Sequence, residues 1–164
     1  MSADAAATWS TSVPTPESAA TIASWSTSAE EAVAWVSSPT PVSPEVVAGW
    51  WQRADVTALL LHDPEGTPVA YGEVWDDEDE DEVELARLIV DPARRREGIG
   101  RRLVEVLLTL AREHERSDCF LRVVPDNTAA RALYRNAGFV EVDQASMDAW
   151  NAGQPAAYVW MQHP

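Results

Sequence analysis

Hydrophobic and polar residues follow two periodicities along the chain, and these predict its strands and helices. Residues 56–61 and 68–75 are apolar runs separated by a Gly-containing turn at 63–67, a pattern typical of a β-hairpin. An acidic run then precedes a third apolar segment at 83–90. These three segments predict consecutive strands.

After Asp91 the apolar spacing becomes helical. A helix is predicted over about 98–115. Its apolar stripe consists of Ile99, Leu103, Val106, Leu107, Leu110 and Ala111. A strand at 119–124 follows, then a helix that Asn127 caps and Gly138 ends, and closing strands at 139–142 and 156–161.

The N-terminal third gives weaker signals. Residues 1–17 are rich in Ala, Ser, Thr and Pro, which predicts a disordered tail. A short strand is expected at 20–25, a helix from Ser28 to Val36 with Glu31 completing a capping box, and a short helix from Pro44 or Glu45. Residues 147–154 are expected to form an exposed connection.

This order of strands and helices predicts an α/β domain, with a mixed sheet flanked by helices. With 164 residues, 46% of them hydrophobic, the chain can bury one core, so we expect a single domain over 18–164. No apolar run is long enough for a membrane span and no secretory signal is visible, so a cytoplasmic protein without membrane association is expected.

Charge is distributed unevenly along the sequence. The net charge of -15 argues against general nucleic-acid binding. All twelve basic residues are arginines, and five of them fall within residues 94–102. Against so acidic a background, this cluster predicts a local anion site.

The arginine cluster lies in a segment, 90–100, that joins a strand to a helix. Gly98 and Gly100 let backbone amides face a ligand at the positive end of the helix, an arrangement that suits phosphate. A Walker loop needs a lysine that the chain lacks, and the dinucleotide fingerprint needs a glycine where Leu103 stands. The pattern therefore favours neither ATP nor NAD.

The loop resembles the acetyl-CoA pyrophosphate signature of the GNAT acetyltransferase superfamily, with Arg95, Gly98 and Gly100 at the defining positions. Further along, Asn127, the pair Leu133 and Tyr134, and the pair Gly138 and Phe139 stand at the spacing of that family. The resemblance extends over about 69–139.

The resemblance implies a GNAT-type fold, a mostly antiparallel twisted sheet that splays between two central parallel strands. It implies acetyl-CoA as co-substrate, with the backbone of Leu88, Ile89 and Val90 pairing with the pantetheine arm. It also implies that backbone amides hold the pyrophosphate. These belong to Arg95, Arg96, Glu97, Gly98, Ile99, Gly100 and Arg101.

Catalytic roles follow from the same resemblance. Tyr134 resembles the tyrosine that donates a proton to the departing thiolate, and a helix tyrosine that packs on the core is the alternative. Glu84 is the candidate base that deprotonates the amine, with Glu73 as second choice. Asn127 is expected either near the cofactor arm or simply as a helix cap.

Other candidate sites have simpler interpretations. The acidic run 76–82 predicts a solvated turn, with attraction of a cationic amine as a further hypothesis. Cys119 is expected to be a buried core residue. His62, His114 and His163 lack ligand spacing, so no metal is expected.

The function that the resemblance implies is direct transfer of an acetyl group from acetyl-CoA to a primary amine on a small molecule or peptide. The alternative is a regulatory domain that binds acyl-CoA without catalysis. A homodimer is common among proteins that look like this. The acceptor and the oligomeric state stay open on the sequence.

Overall fold

A single sheet runs through residues 8–164, the part of the chain that the computed structural model describes. Its strands are β1 (Ser10–Ser12), β2 (Val56–His62), β3 (Pro68–Asp77), β4 (Glu82–Val90), β5 (Asp118–Val123), β6 (Val140–Glu141) and β7 (Val159–His163). They lie in the order β1-β2-β3-β4-β5-β7-β6. β4 and β5 are parallel, and all the other neighbours in the sheet are antiparallel.

Helices cover both faces of this sheet. They are α1 (Pro16–Ser24), α2 (Ala29–Val36), α3 (Pro44–Trp50), α4 (Ile99–Arg112), α5 (Thr128–Asn136) and α6 (Gln144–Asn151). On one face, side chains of α1 to α3 pack with Leu60, Tyr71 and Ile89. On the other, α4 buries Leu103 and Leu107 in a second apolar cluster. The predicted α/β class with a mixed, mostly antiparallel sheet is confirmed.

β4 and β5 separate part of the way along their length. Their parallel register begins at Glu82 opposite Asp118 and ends at Glu84 opposite Phe120. Beyond that pair, β4 continues to pair with β3 and β5 with β7, but β4 and β5 no longer pair with each other. The splay expected from the family resemblance is therefore present, and it starts at Glu84.

A bulge bends β4 beside this opening. Tyr71 pairs with Ile89 but Glu73 pairs with Ala86, so β4 holds one extra residue at this point. Arg87 within the bulge has φ 51°, a left-handed conformation that is uncommon for a residue with a side chain. Its carbonyl accepts a hydrogen bond from Trp35 Nε1 at 2.9 Å, which ties the bulge to α2.

The prediction of a strand at 20–25 is wrong, because the helix α1 occupies this segment. Pro16 fixes the first helical residue, and the amide of Thr15 donates to Ser18 Oγ at 2.8 Å. Ala19, Ile22 and Ala23 then face the core at helical spacing. The short run at 20–25 has no clear hydrophobic period, so the capping residues before it determine that the segment is a helix and not a strand.

Two further segments differ from expectation. Residues 10–12 pair with β2 as an edge strand inside the region where the composition predicted a disordered tail, while residues 1–7 lie outside the described part. The connection predicted at 147–154 is helical through Asn151, because Asp143 accepts from the amide of Ser146 and caps α6. Within residues 8–164 no helix has the length and apolar character to cross a membrane.

Candidate active site

The splay between β4 and β5 opens into a cavity of about 560 Å³. Residues 85–88 line one wall and residues 121–124 line the other. The last residues of α2 and part of the segment that links it to α3 also line the cavity. α5 and its N-cap contribute Asn127, Ala130 and Tyr134. The cavity thus lies where the sheet offers unpaired strand edges and a helix reaches in from the opposite face.

The start of α4 lies at the end of β4, after a short 3-10 turn at Pro92–Arg94. Gly98 is the N-cap with φ 77°, and no side chain caps this helix. In the first backbone hydrogen bond of the helix, the amide of Arg102 donates to the carbonyl of Gly98 at 3.2 Å. The amides of the three residues before Arg102 therefore have no acceptor within the helix, and they lie at its positive end. This geometry suits a phosphate group.

The arginines of the predicted anion site are mostly engaged within the protein. Arg94 binds Asp63 at 2.8 Å and Glu97 at 3.0 Å. Arg95 binds Glu31 at 2.7 Å. Arg101 binds Glu105 at 3.1 Å, and the guanidinium of Arg102 lies 4.5 Å from the centre of the Trp9 ring. Among the described residues, Arg96 alone of the five has no ion pair or ring partner.

Leu88, Ile89 and Val90 form the end of β4 nearest α4. Ile89 and Val90 pair with Tyr71 and Ala70 of β3 on one edge. Their opposite edge faces the region from which β5 has diverged. Pairing of this edge with an extended ligand stays a prediction.

Glu84 lies at the apex of the splay and lines the cavity. Its Oε1 is 2.9 Å from Arg122 Nε on β5. Burial raises the pKa of Glu84 to about 7, although Arg122 acts in the opposite direction. A carboxylate that titrates near neutral pH is suited to exchange a proton with a substrate.

Glu73, the second candidate base, is fully buried and does not line the cavity. Tyr71 donates its hydroxyl hydrogen to Glu73, and Trp75 Nε1 donates at 2.6 Å. Arg87 Nη1 lies 3.1 Å from Oε2. All these donors hold the carboxylate beneath the cleft, so its structural role is to fix Arg87 and the two aromatic residues.

Tyr134 reaches the cavity from α5. Burial raises the pKa of its phenol to about 12, so the hydroxyl is protonated at neutral pH. The ring packs edge-to-face on Phe139 with 6.2 Å between centroids. Asn127 also lines the cavity, and its side chain accepts from the amide of Ala130 at 3.2 Å. The expected helix-cap role of Asn127 is therefore seen, and its proximity to the cofactor arm stays a prediction.

Several cavity residues were not predicted from the sequence. Arg87 lies over the ring of Trp50 at 4.3 Å and over that of Trp75 at 4.9 Å. Arg122 lies near three rings, those of Trp75, Tyr158 and Trp160. Trp35 packs edge-to-face on Trp50. A signal did exist for Arg122, since it is the one charged residue inside the apolar run 119–124. An arginine there needs a partner or a ligand.

A second cavity of about 430 Å³ lies at the hairpin between β3 and β4. It is lined mostly by acidic side chains and shares Trp75 and Glu84 with the main cleft. The acidic run is not wholly solvated as predicted, because Asp76 binds Arg116 at 2.6 Å. That guanidinium holds the pKa of Asp76 below its ordinary value.

The sequence matches a known protein family and, over part of its length, several relatives. Residues 20–139 match the profile of the Acetyltransferase (GNAT) family. Over 61 residues the chain is 48% identical to the N-alpha-acetyltransferase RimI of Mycobacterium tuberculosis, a match that spans 37% of each protein. The [Ribosomal protein bS18]-alanine N-acetyltransferase of Escherichia coli strain K12 is 39% identical over 61 residues, 37% of this chain and 41% of that protein.

Solved structures share the fold at low identity. The ribosomal-protein-S18-alanine N-acetyltransferase from Escherichia coli aligns with a TM-score of 0.67 and 22% identity, covering 96% of this chain and 94% of that one. The spermidine N-acetyltransferase from Vibrio cholerae, solved with CoA and spermine, aligns with a TM-score of 0.71 and 16% identity over 82% of each chain. Because the family profile covers most of the sequence and the splayed sheet is the one that the resemblance predicted, the chain belongs to the GNAT acetyltransferase family.

Proposed function

We propose that the protein transfers an acetyl group from acetyl-CoA to a primary amine on a small molecule or peptide. One observation carries this proposal: Glu84 from β4, at the apex of the splay, and Tyr134 from α5 line the same cavity. The first can take a proton and the second can give one. The names of the partial relatives, which are N-acetyltransferases, agree with it.

The chain offers groups that fit acetyl-CoA. The free edge of residues 88–90 can bond to an extended amide-containing arm, as an added strand does. The uncapped amides from Arg95 to Arg101 can hold the pyrophosphate, and Arg96 is available as an additional cation. Bound there, acetyl-CoA supplies a thioester as the acyl donor.

Glu84 would act on the acceptor. A protonated amine has no lone pair with which to attack a carbonyl, so its proton must leave first. The raised pKa of Glu84, about 7, makes the ionised carboxylate a stronger base than an exposed glutamate while keeping it available at neutral pH. We assign Glu84 as the base, acting directly or through a water molecule.

Tyr134 would act on the leaving group. When the carbon–sulfur bond breaks, sulfur takes the electron pair and requires a proton. The partly buried phenol holds its proton across the neutral range, and no described residue accepts a hydrogen bond from it, so the hydroxyl is free to donate. Nitrogen gains the acetyl group in the same attack, without a covalent enzyme intermediate.

The alternative is a domain that binds acyl-CoA without catalysis. It would retain the splay and the uncapped helix start, but it would have no need of Glu84 and Tyr134 in the cavity lining. The ion pair between Glu84 and Arg122 gives such a domain a structural reason for the glutamate. Kinetics therefore have to separate the two functions.

Calorimetric titration with acetyl-CoA is the first test. A Cβ at Gly100 would lie 3.0 Å from Leu133 Cδ2, so Gly100→Trp should distort the start of α4 and abolish binding. Gly49→Trp is the matched control, because Gly49 is also helical and its Cβ would meet no atom within 4 Å. Absence of binding to the wild-type protein would refute the proposal.

Acetyl transfer is then followed by release of free thiol in the presence of a panel of amines. Turnover that Glu84→Gln and Tyr134→Phe both reduce, with acetyl-CoA affinity preserved, supports the enzyme. Binding without turnover on any amine supports the regulatory alternative. Circular dichroism on each variant confirms that the fold is intact.

A further inference from the structure

We propose that the acceptor is a zwitterion, an amine that carries a carboxylate on the neighbouring carbon, and that Arg122 binds this carboxylate while Glu84 faces the amino group. The inference rests on the acetyltransferase function proposed above and specifies its substrate class. The geometry of Arg122, the balance of charge in the cleft and its aromatic walls each support it.

The parallel ladder places Arg122 beside Glu84. Glu84 pairs with Phe120, and Arg122 lies two residues further along β5, so its side chain emerges on the same face. The strands part at this point, and both side chains border the cavity. Arg122 is 23% exposed and Glu84 17%, so each retains a surface that a ligand can reach.

Arg122 is held firmly in this position. Its guanidinium lies 5.2 Å from the ring of Trp160, 5.3 Å from that of Tyr158 and 5.7 Å from that of Trp75. Nε is 2.9 Å from Glu84, and Nη1 donates to Gln154 Oε1 at 2.9 Å. Among the described residues Nη2 has no acceptor, and Nη1 bonds only to a neutral amide. The outer edge of the guanidinium is thus available to a carboxylate, which it can bind through both Nη groups.

Charge in the cleft disfavours a simple cation. The Glu84 carboxyl lies next to Arg122, and the second guanidinium in the lining, Arg87, is balanced by buried Glu73. An ammonium ion beside Glu84 therefore also meets the positive charge of Arg122 at similar range. A carboxylate on the same molecule removes this repulsion, because it binds Arg122 while the ammonium binds Glu84.

The remaining walls suit an apolar side chain. Trp35, Trp50, Trp75 and Tyr158 all line the cavity. Their rings offer apolar surface and specific edge-to-face contacts. An amino acid with an aromatic side chain therefore matches the ion pair and the walls together.

The test compares three amines that share a benzyl group: L-phenylalanine, L-phenylalaninamide and 2-phenylethylamine. They differ at the carbon next to the amine, which carries a carboxylate, a carboxamide or only hydrogen. We expect kcat/KM for phenylalanine to exceed that of the other two by about 10- to 100-fold, the size of a charge-assisted hydrogen bond. Arg122→Met should bring the ratio of phenylalanine to 2-phenylethylamine close to one. The ratio is the readout, because any effect of the substitution on Glu84 acts on both amines alike.

Arg135→Met is the control, because it also removes an arginine from an ion pair, in this case with Glu141 on β6, and neither residue lines the cavity. It should leave the ratio unchanged. Equal use of phenylalanine and its amide by the wild-type protein, or preference for spermidine or an alanine-initiated peptide over every amino acid in a complete panel, would overturn the proposal. Absence of acetyl-CoA binding would instead remove the acetyltransferase function on which the proposal depends.

Discussion

Glu84 Oε1 and Arg122 Nε lie 2.9 Å apart, at the point where β4 and β5 separate beyond the last pair of their parallel ladder. The glutamate comes from the strand that leads to the uncapped helix, and the arginine comes from the strand that precedes α5. Because one backbone register sets both positions, the apex of the cleft acquires a charged pair without any loop to position it. The same pair makes the chemistry of the site sensitive to pH.

Activity should rise as pH increases through about 7. Burial raises the pKa of Glu84 to about 7, nearby Glu82 acts in the same direction, and Arg122 and Arg87 oppose them. The carboxylate must be ionised to accept a proton, so kcat/KM is lost on the acid side of this value. The measurement is a pH profile of kcat/KM on the free enzyme.

Arg122→Met should shift this acid limb to higher pH, since the substitution removes the charge that favours ionised Glu84. Glu84→Gln should reduce kcat by about 10²- to 10⁴-fold and abolish the limb. An acid limb that persists near pH 7 in Glu84→Gln would show that another group is the base.

Tyr134→Phe should lower kcat by about 10²- to 10⁴-fold, because the thiolate then leaves without a proton donor. The ring and its contact with Phe139 are preserved, so stability and acetyl-CoA affinity should change little. The raised pKa of the phenol, about 12, predicts no alkaline loss of activity from this group below pH 9. A kcat close to that of the wild type would show that Tyr134 serves only to pack on the core.

Much of the fold could be predicted from the sequence wherever a periodic pattern and a cap agreed. The helix that Asn127 caps and the hairpin before β4 were both predicted and are both present. The segment of α1 was misassigned, because six residues of mixed apolar character fit a strand and a helix alike. Local capping by Thr15 and Ser18, rather than periodicity, settles that segment.

The site was only partly predictable for a different reason. Glu84, Tyr134 and the start of α4 follow from motifs that are local in sequence. Arg122 becomes a neighbour of Glu84 through parallel pairing of strands separated by a whole helix, and its three aromatic partners come from β3 and from the segment 158–160. Such a constellation is defined by topology, which a linear pattern does not encode.

The ion pair of Arg94 with Asp63 should stabilise the protein in a pH-dependent way. Arg94 crosses from the loop before α4 to the turn between β2 and β3, at 2.8 Å. It holds the pKa of Asp63 below the ordinary value, so this stabilisation is present above the pH at which Asp63 titrates in the unfolded chain and is lost as pH falls through the lower folded value. Arg94→Met should therefore lower the free energy of unfolding at pH 7 and by a smaller amount near pH 3.

Urea unfolding at the two pH values measures the difference. Arg53→Met is the control, since its pair with Asp55 is exposed on both sides and should contribute little at either pH. A loss of stability for Arg94→Met that is the same at pH 7 and pH 3 would mean that packing of the arginine, and not its charge, is responsible.

Gly72 should be intolerant of even one added carbon. A Cβ at this position in β3 would lie 2.6 Å from Leu107 Cδ1, and Leu107 is fully buried between α4 and the sheet. Leu107 would have to leave its packed position, so Gly72→Ala should destabilise the protein by about 1–3 kcal/mol.

Gly49→Ala adds the same carbon to exposed helical backbone with no atom within 4 Å, so it should stabilise the protein by about 0.4–1 kcal/mol. Denaturant unfolding of both variants measures the two changes in the free energy of unfolding, which should have opposite signs. If Gly72→Ala is neutral or stabilising, α4 does not approach β3 as closely as the structure shows. Leu107→Ala in the Gly72→Ala background should then recover part of the strain, because the shorter side chain removes the colliding atom.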